Sequence, residues 1–279
     1  MAAPSQVLAA RCTARFRPPR FGLGGCHLGD APGLGDAPGL GRAEDAADEQ
    51  AIATIDAAYQ AGMRFFETSP AYGASEPRLS TALRRRPRGE FLIATTVTGT
   101  DPEASVRASC ERLGLAVDLV FAQDDVTFPV LDQLRRDGVI KAIGALAEDW
   151  RELDRLVRDG EPDCVLLSGQ YGLLDQSAEP LLERCAARGV SVIVSGVLTP
   201  EVLHGQSVQA RRISAVCERY GVSLPQAALA FPSRHPAVTS VLIAASSPAE
   251  IRADAALVRQ PVPERLWKDT EFLRLLSSS

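Results

Sequence analysis

Short apolar runs separated by amphipathic stretches set the rhythm of this chain. FLIAT, VDLVFA, DCVLL, VSVIV and TSVLIA are nearly unbroken apolar segments. Runs of this length and composition are strands buried on both faces, as in a parallel sheet. With shorter candidates they predict strands near 20–24, 63–67, 91–96, 118–122, 139–144, 163–168, 190–195 and 239–244. Between them the apolar period lengthens to that of a helix. Ile52, Ile55, Ala58 and Tyr59 mark one face of a helix over 48–61, and Ser75 opens another. Further helices are predicted over 105–113, 129–136, 177–187 and 208–220. Gly62, Gly114, Gly138, Gly189 and Gly221 stand at their ends, where a left-handed residue stops a helix and releases the chain into the next strand.

Eight strands alternating with helices predict an α/β fold, a (β/α)8 TIM barrel; a doubly wound sheet is the alternative arrangement. The length of 279 residues suits one such barrel. Residues 1–18, small, basic and Pro-rich, are expected to form a flexible leader, with 19–279 as the single barrel. LGDAPG occurs at 28–33 and again at 34–39, which reads as an extended loop. It is either a lid over the barrel mouth or a surface insertion.

Composition narrows the partners. A net charge of −5 argues against a basic surface for nucleic acid or an anionic membrane. Of 30 basic residues only Lys141 and Lys268 are lysines, so the arginine excess is a compositional bias. RRRPR at 84–88 is expected to be a solvated helix end. No apolar run approaches the roughly 18 residues of a membrane span, and no apolar segment follows the N-terminal arginines, so the expected location is cytoplasmic. The six cysteines show no metal-ligand spacing; Cys110, Cys185 and Cys217 fall in helical patterns and are expected to be buried free thiols.

The segment Phe65–Glu76, FFETSPAYGASE, runs a strand into an acid, a Ser-Pro turn and a Tyr-Gly pair. It resembles a signature of the aldo/keto reductases. The likeness extends from about Arg20 to Leu275 through SVRASCERLGLAVDLVFAQD, LDQLRRDGVIKAIGA and SGQYGLLDQSAEPLLERCAARGVSVIVSGVL. The last of these is similar to the branch acting on D-threo-aldoses or L-fucose. The resemblance implies a barrel whose chemistry uses an aspartate, a tyrosine, a lysine and a histidine. The matching positions here hold Glu67, Tyr72, Thr96 and Gln123, so only the tyrosine is kept.

These departures carry chemical consequences. Without the lysine, Tyr72 is expected near its ordinary pKa of ~10, and Gln123 can hydrogen-bond a carbonyl but not titrate. Glu67, lacking a cationic partner, is expected to rise toward neutrality and serve as an acid or base; the alternative is that it only hydrogen-bonds Thr96 and ties the strand ends. The resemblance further implies a glycine and a basic side chain after the last strand, where this chain has Ala244 and Ser246. Ser247 and Arg252 remain as phosphate contacts, with an acid at Asp254. The expected cofactor is accordingly none, or weakly bound NADP or NAD. His27, Gln170, Tyr171 and Asp124 are the candidate substrate contacts, and Asp124 with Asp125 lacks a third ligand for a metal.

The expected function is acid–base chemistry by Tyr72 and Glu67 on a small polar carbonyl or sugar-like compound of specialised metabolism: enolisation, dehydration, isomerisation or cyclisation, with redox weakened or lost. The alternatives are an NAD(P)H-dependent oxidoreductase with atypical catalytic residues, and a silent barrel used for binding or as a scaffold.

Overall fold

The computed structural model describes residues 16–29 and 41–277, so residues 1–15 of the leader and most of the LGDAPG repeat lie outside the described residues. Eight parallel strands close into a barrel in sequence order: β1 (Phe21–Gly24), β2 (Phe65–Glu67), β3 (Leu92–Thr96), β4 (Leu119–Ala122), β5 (Ala142–Leu146), β6 (Cys164–Ser168), β7 (Ser191–Ser195) and β8 (Val238–Ala244). The helices that alternate with them are α1 (Gly41–Gln60), α2 (Ser75–Leu83), α3 (Pro102–Leu113), α4 (Phe128–Arg136), α5 (Trp150–Asp159) and α6 (Glu179–Arg188). Between β7 and β8 run α7 (Pro200–His204), α8 (Val208–Glu218) and α9 (Leu224–Ala230); α10 (Pro248–Arg259) and α11 (Thr270–Leu276) complete the chain. The expected barrel is therefore the observed one.

Two cores hold it. Phe65, Leu119, Phe121, Leu166, Ile193 and Leu242 fill the barrel interior. Their outward-pointing neighbours, such as Phe66, Val120 and Val165, pack under the helices. The interior is tight at Gly144, where an added Cβ would lie 2.3 Å from the Phe121 ring. Gly114 and Gly189 take φ of 59° and 68°, the left-handed caps that the sequence pattern implies.

The differences from expectation are local. Strand β5 begins at Ala142, not 139, because the N–H groups of Val139 and Ile140 still bond the Leu134 carbonyl at the end of α4. Helix α3 begins at Pro102, since Asp101 caps it through Ala104 N at 3.0 Å one turn ahead of its first buried residue, Val106. Nor is RRRPR only a solvated turn. Arg86 pairs with Asp56 at 3.1 Å, and Arg88 bonds Asp118 and the carbonyls of Phe91 and Ala116. Finally, Phe16 packs against the interior cluster, and its carbonyl accepts from Ser191 Oγ while that of Pro19 accepts from Ser240 Oγ at 2.7 Å. Residues 16–18, assigned to the leader by their composition, thus close the N-terminal end of the barrel.

Candidate active site

Side-chain alternation in three adjacent strands sets the site. In β2, Phe65 points into the barrel and Phe66 out, so Glu67 points in, at the C-terminal end where barrel chemistry gathers. In β3, Ala94 points in and Thr95 out to Glu76 Oε1 at 3.0 Å, which turns Thr96 inward. In β4, Leu119 and Phe121 point in, and the same alternation places Gln123 on the mouth side, exposed. Tyr72 ends a 3₁₀ turn (Pro70–Tyr72) that Ser69 caps by accepting from Ala71 N at 3.2 Å. A Thr68 Oγ1 to Ser75 Oγ bond of 2.9 Å clips that turn to the start of α2.

The electrostatics are those of an uncompensated acid. Glu67 and Thr96 are each only 3 % exposed. Glu67 Oε2 accepts from Gly25 N at 3.2 Å, whereas Glu67 Oε1 and Thr96 Oγ1 are buried with no hydrogen-bond partner. The reading in which Glu67 merely bonds Thr96 is therefore set aside. Burial pushes Glu67 up to about 7, against a smaller opposing pull from the Gly25 N–H and the Tyr72 hydroxyl. Tyr72 is pushed well above its ordinary range, first by burial, then by the Glu67 charge and by Cys26. The expected ordinary tyrosine is corrected accordingly: Tyr72 holds its proton more firmly than a free phenol. Cys26, exposed in the 3₁₀ turn after β1, is itself raised by partial burial and then by Glu67. Gly25 and Cys26 are site residues that the sequence reading passed over; the signal was GGCH directly after a strand end.

The other candidates are placed as follows. His27 is exposed, its Nδ1 3.5 Å from Ser246 Oγ. Asp124 Oδ1 accepts from Thr127 N at 2.9 Å in the turn ahead of α4, while Asp125 pairs with Arg155 at 3.3 Å. Gln170 Oε1 accepts from Trp150 N at 2.8 Å, capping α5. Tyr171 is buried in the wall against Phe231 and His235, ring centroids 5.6 and 6.0 Å away. A cleft of about 290 Å³ lies beside it at the ends of β6 and β7, lined by Gly169, Gly172, Gly196, Val197 and Thr199. Among the described residues no cluster of His, Cys, Asp and Glu could hold a metal.

The turn from β8 into α10 tests whether a dinucleotide phosphate fits. Ser246 N is already bonded to Glu250 Oε2 at 2.7 Å, and the Ser246 carbonyl accepts from Gln50 at 2.7 Å. Ser247 Oγ accepts from Glu250 N at 3.2 Å as the helix cap. Asp254 is held up to about 6 by burial and then by Glu250. Arg252 is exposed on the same helix. The Ser246 N–H and the Ser247 hydroxyl are thus both engaged by Glu250, so an adenosine phosphate at this turn would have to displace a carboxylate.

A family model described as the aldo/keto reductase family matches residues 20–271. The chain belongs to the aldo/keto reductase family. It is 30% identical over 295 residues to a D-threo-aldose 1-dehydrogenase of a Pseudomonas species, covering 82% of this chain and 89% of that protein. An L-galactose dehydrogenase of Arabidopsis thaliana is 31% identical over 267 residues, covering 81% and 83%. An aldo-keto reductase of Bacillus halodurans, solved in holo form, superposes with a TM-score of 0.76 at 18% identity, covering 96% of this chain and 95% of that one. At that identity the superposition speaks for the fold alone.

Proposed function

We propose that this barrel moves a proton on a small polyhydroxylated aldehyde or ketone, with Glu67 as the base and Tyr72 as the hydrogen-bond donor to the carbonyl. The observation that carries this reading is Glu67: buried, beside Tyr72, held near neutrality by desolvation, with one oxygen unpartnered. A carboxyl poised at about 7 exchanges protons efficiently near neutral pH. Tyr72, pushed up rather than down, supports an enolate oxygen without giving its proton away completely. The step balances without electrons leaving the substrate. Glu67 takes the proton from the carbon next to the carbonyl, and the C–H pair moves into the enolate. The proton returns to the same carbon as exchange, or to the neighbouring carbon once the adjacent hydroxyl proton has passed to the former carbonyl oxygen. Gln123 at the end of β4 supplies an amide to orient the oxygen. Sugar-like substrates are favoured by the dehydrogenases of D-threo-aldose and L-galactose among the relatives.

The test is exchange of the proton α to the carbonyl in deuterated water, followed by NMR over a panel of aldoses and ketoses. Exchange is expected with the native protein, and Tyr72→Phe or Glu67→Gln should slow it by about 100-fold or more. A panel that shows no exchange, together with nicotinamide-dependent oxidation of the same sugars, removes the reading. That outcome would favour a dehydrogenase with atypical residues, which the named activities of the relatives support. Titration with NADH and NADPH separates the two. Trp150 is the reporter, since it opens α5 on the mouth side, while Trp267 lines a pocket with Arg20 and Phe21 at the opposite end. Weak binding is expected for both, weaker for NADPH, whose added phosphate would meet Glu250 and Asp254.

A further inference from the structure

Buried polar atoms are nearly always satisfied, and an unpartnered one in a cleft marks where a partner is missing. Two such atoms stand on neighbouring strands at the mouth of this barrel: Glu67 Oε1 on β2 and Thr96 Oγ1 on β3. Both side chains are more than nine-tenths buried, and both turn into the interior by the alternation of their strands. The groups that act on Glu67 are Gly25 N, Tyr72 and Cys26, and none of them is a cation. On the β1 side a Cβ added at Gly24 would touch Glu67 Oε2 at 3.7 Å in ordinary contact, so Gly24 leaves room there for no more than a methyl group.

The missing partner has a definable chemistry. It must donate to Glu67 Oε1, exchange a hydrogen bond with the Thr96 hydroxyl, which can donate or accept, and bring the positive charge the carboxylate lacks. A hydroxyl could donate to Glu67 and accept from Thr96, but it carries no charge. A primary ammonium has three donors on one compact centre and full charge. We propose that the corner between Glu67 and Thr96 binds a protonated primary amine carried by the substrate, making an amino sugar or another aminocarbonyl compound the preferred ligand class. This deepens the function proposed above and rests on it for turnover, but not for binding. The bound ammonium compensates Glu67 and holds the carbonyl end of the same molecule toward Tyr72. Once compensated, Glu67 is the anchor as well as the base, and it releases the amine when protonated.

The test uses the full-length protein with ¹³C-labelled glutamate side chains and follows the Glu67 carboxyl by NMR through a pH titration. Methylammonium is the probe, and tetramethylammonium, which has the charge but no N–H donor, is the control. Methylammonium at tens of millimolar is expected to lower the Glu67 midpoint by about 0.5 to 1 unit, with no comparable shift from tetramethylammonium. Thr96→Val, which keeps the side-chain shape, should weaken the methylammonium effect at least several-fold. Thr96→Lys should lower the midpoint by itself and abolish the response, because its own ammonium fills the corner. Equal shifts from both cations, or none from either, overturn the proposal. If proton exchange on neutral sugars depends on Tyr72 while methylammonium leaves Glu67 unmoved, the amine site is refuted and the proton-transfer reading stands. If methylammonium binds but no aminocarbonyl compound exchanges its α-proton, the site stands and the proton-transfer reading falls.

Discussion

At the scale of single residues the chemistry turns on how much solvation Glu67 has lost. Its ordinary value of 4.5 becomes about 7 in the folded chain, with burial the largest cause. The folded protein therefore holds this proton more tightly than the unfolded chain does. Below about 4.5 both states are protonated and Glu67 has no effect on stability; between 4.5 and about 7 the unfolded chain ionises first, and stability declines as pH rises; above 7 the loss is complete. The full loss is of order 3 kcal/mol, at about 1.4 kcal/mol per pH unit. Glu67→Gln should remove this decline, so the variant gains on the native protein across that window in urea melts at a series of pH values. A constant difference from pH 4.5 to 8 would show that Glu67 is solvated. Glu67 and Tyr72 were legible as mouth residues because a strand-end acid and a Tyr-Gly turn are contiguous, whereas Thr96 and Gln123 were reached only through the family resemblance. The roles of Gln170 and Tyr171 were not legible. Whether an amide caps a helix or a ring turns into the wall depends on α5, Phe231 and His235, distant in the chain.

Elements are joined by a recurring device. Asp118 starts β4 and accepts from Ile93 N on β3 at 2.8 Å while pairing with Arg88 and with Lys141 at 2.7 Å. Asp163 does the same ahead of β6, accepting from Ile143 N on β5 at 2.9 Å and pairing with Arg135 at 2.9 Å. Each buried carboxylate satisfies an N–H on the preceding strand and is compensated by an arginine from outside the barrel. Asp118→Ala should orphan the Ile93 N–H and cost about 2–4 kcal/mol, while Asp118→Asn, which keeps an acceptor, should cost about half as much. Arg136→Ala, removing an exposed pair with Asp132 and a long bond to its carbonyl, should change stability by less than about 0.5 kcal/mol. Equal losses from Asp118→Ala and Arg136→Ala would refute the device. Strand positions were readable because an apolar run is a local signal, and the helix-ending glycines likewise. Helix starts were less so: a polar first turn such as that of α3 carries no apolar period, and α7 and α9 are too short to show one.

Over the whole molecule, the two ends of the barrel do different work. The C-terminal end holds the buried acid, the raised tyrosine and the unpartnered oxygens, all departures from a well-satisfied interior. The N-terminal end is packed: Phe16 lies against the interior cluster and Ser191 and Ser240 bond the carbonyls of Phe16 and Pro19. Sequence composition could not reveal this second closure, since a Pro- and Arg-rich segment shows no pattern of its own and is fixed only by the barrel above it. The interior side chains between the ends, Phe65, Phe121 and Leu242 among them, form a rigid partition through which a loss at one end has little path to the other. Phe16→Ala should therefore lower stability by about 1–3 kcal/mol, as expected for a half-buried aromatic, and reduce the melting temperature by several degrees. The Glu67 midpoint in the folded protein should stay where it is, and so should α-proton exchange per folded molecule. Each is measured on the same sample by carboxyl NMR and by exchange below the melting transition. A midpoint that falls toward 4.5 in Phe16→Ala would mean that water reaches Glu67 from below, and that the closure at the foot of the barrel, not the fold at its mouth, keeps the acid poised.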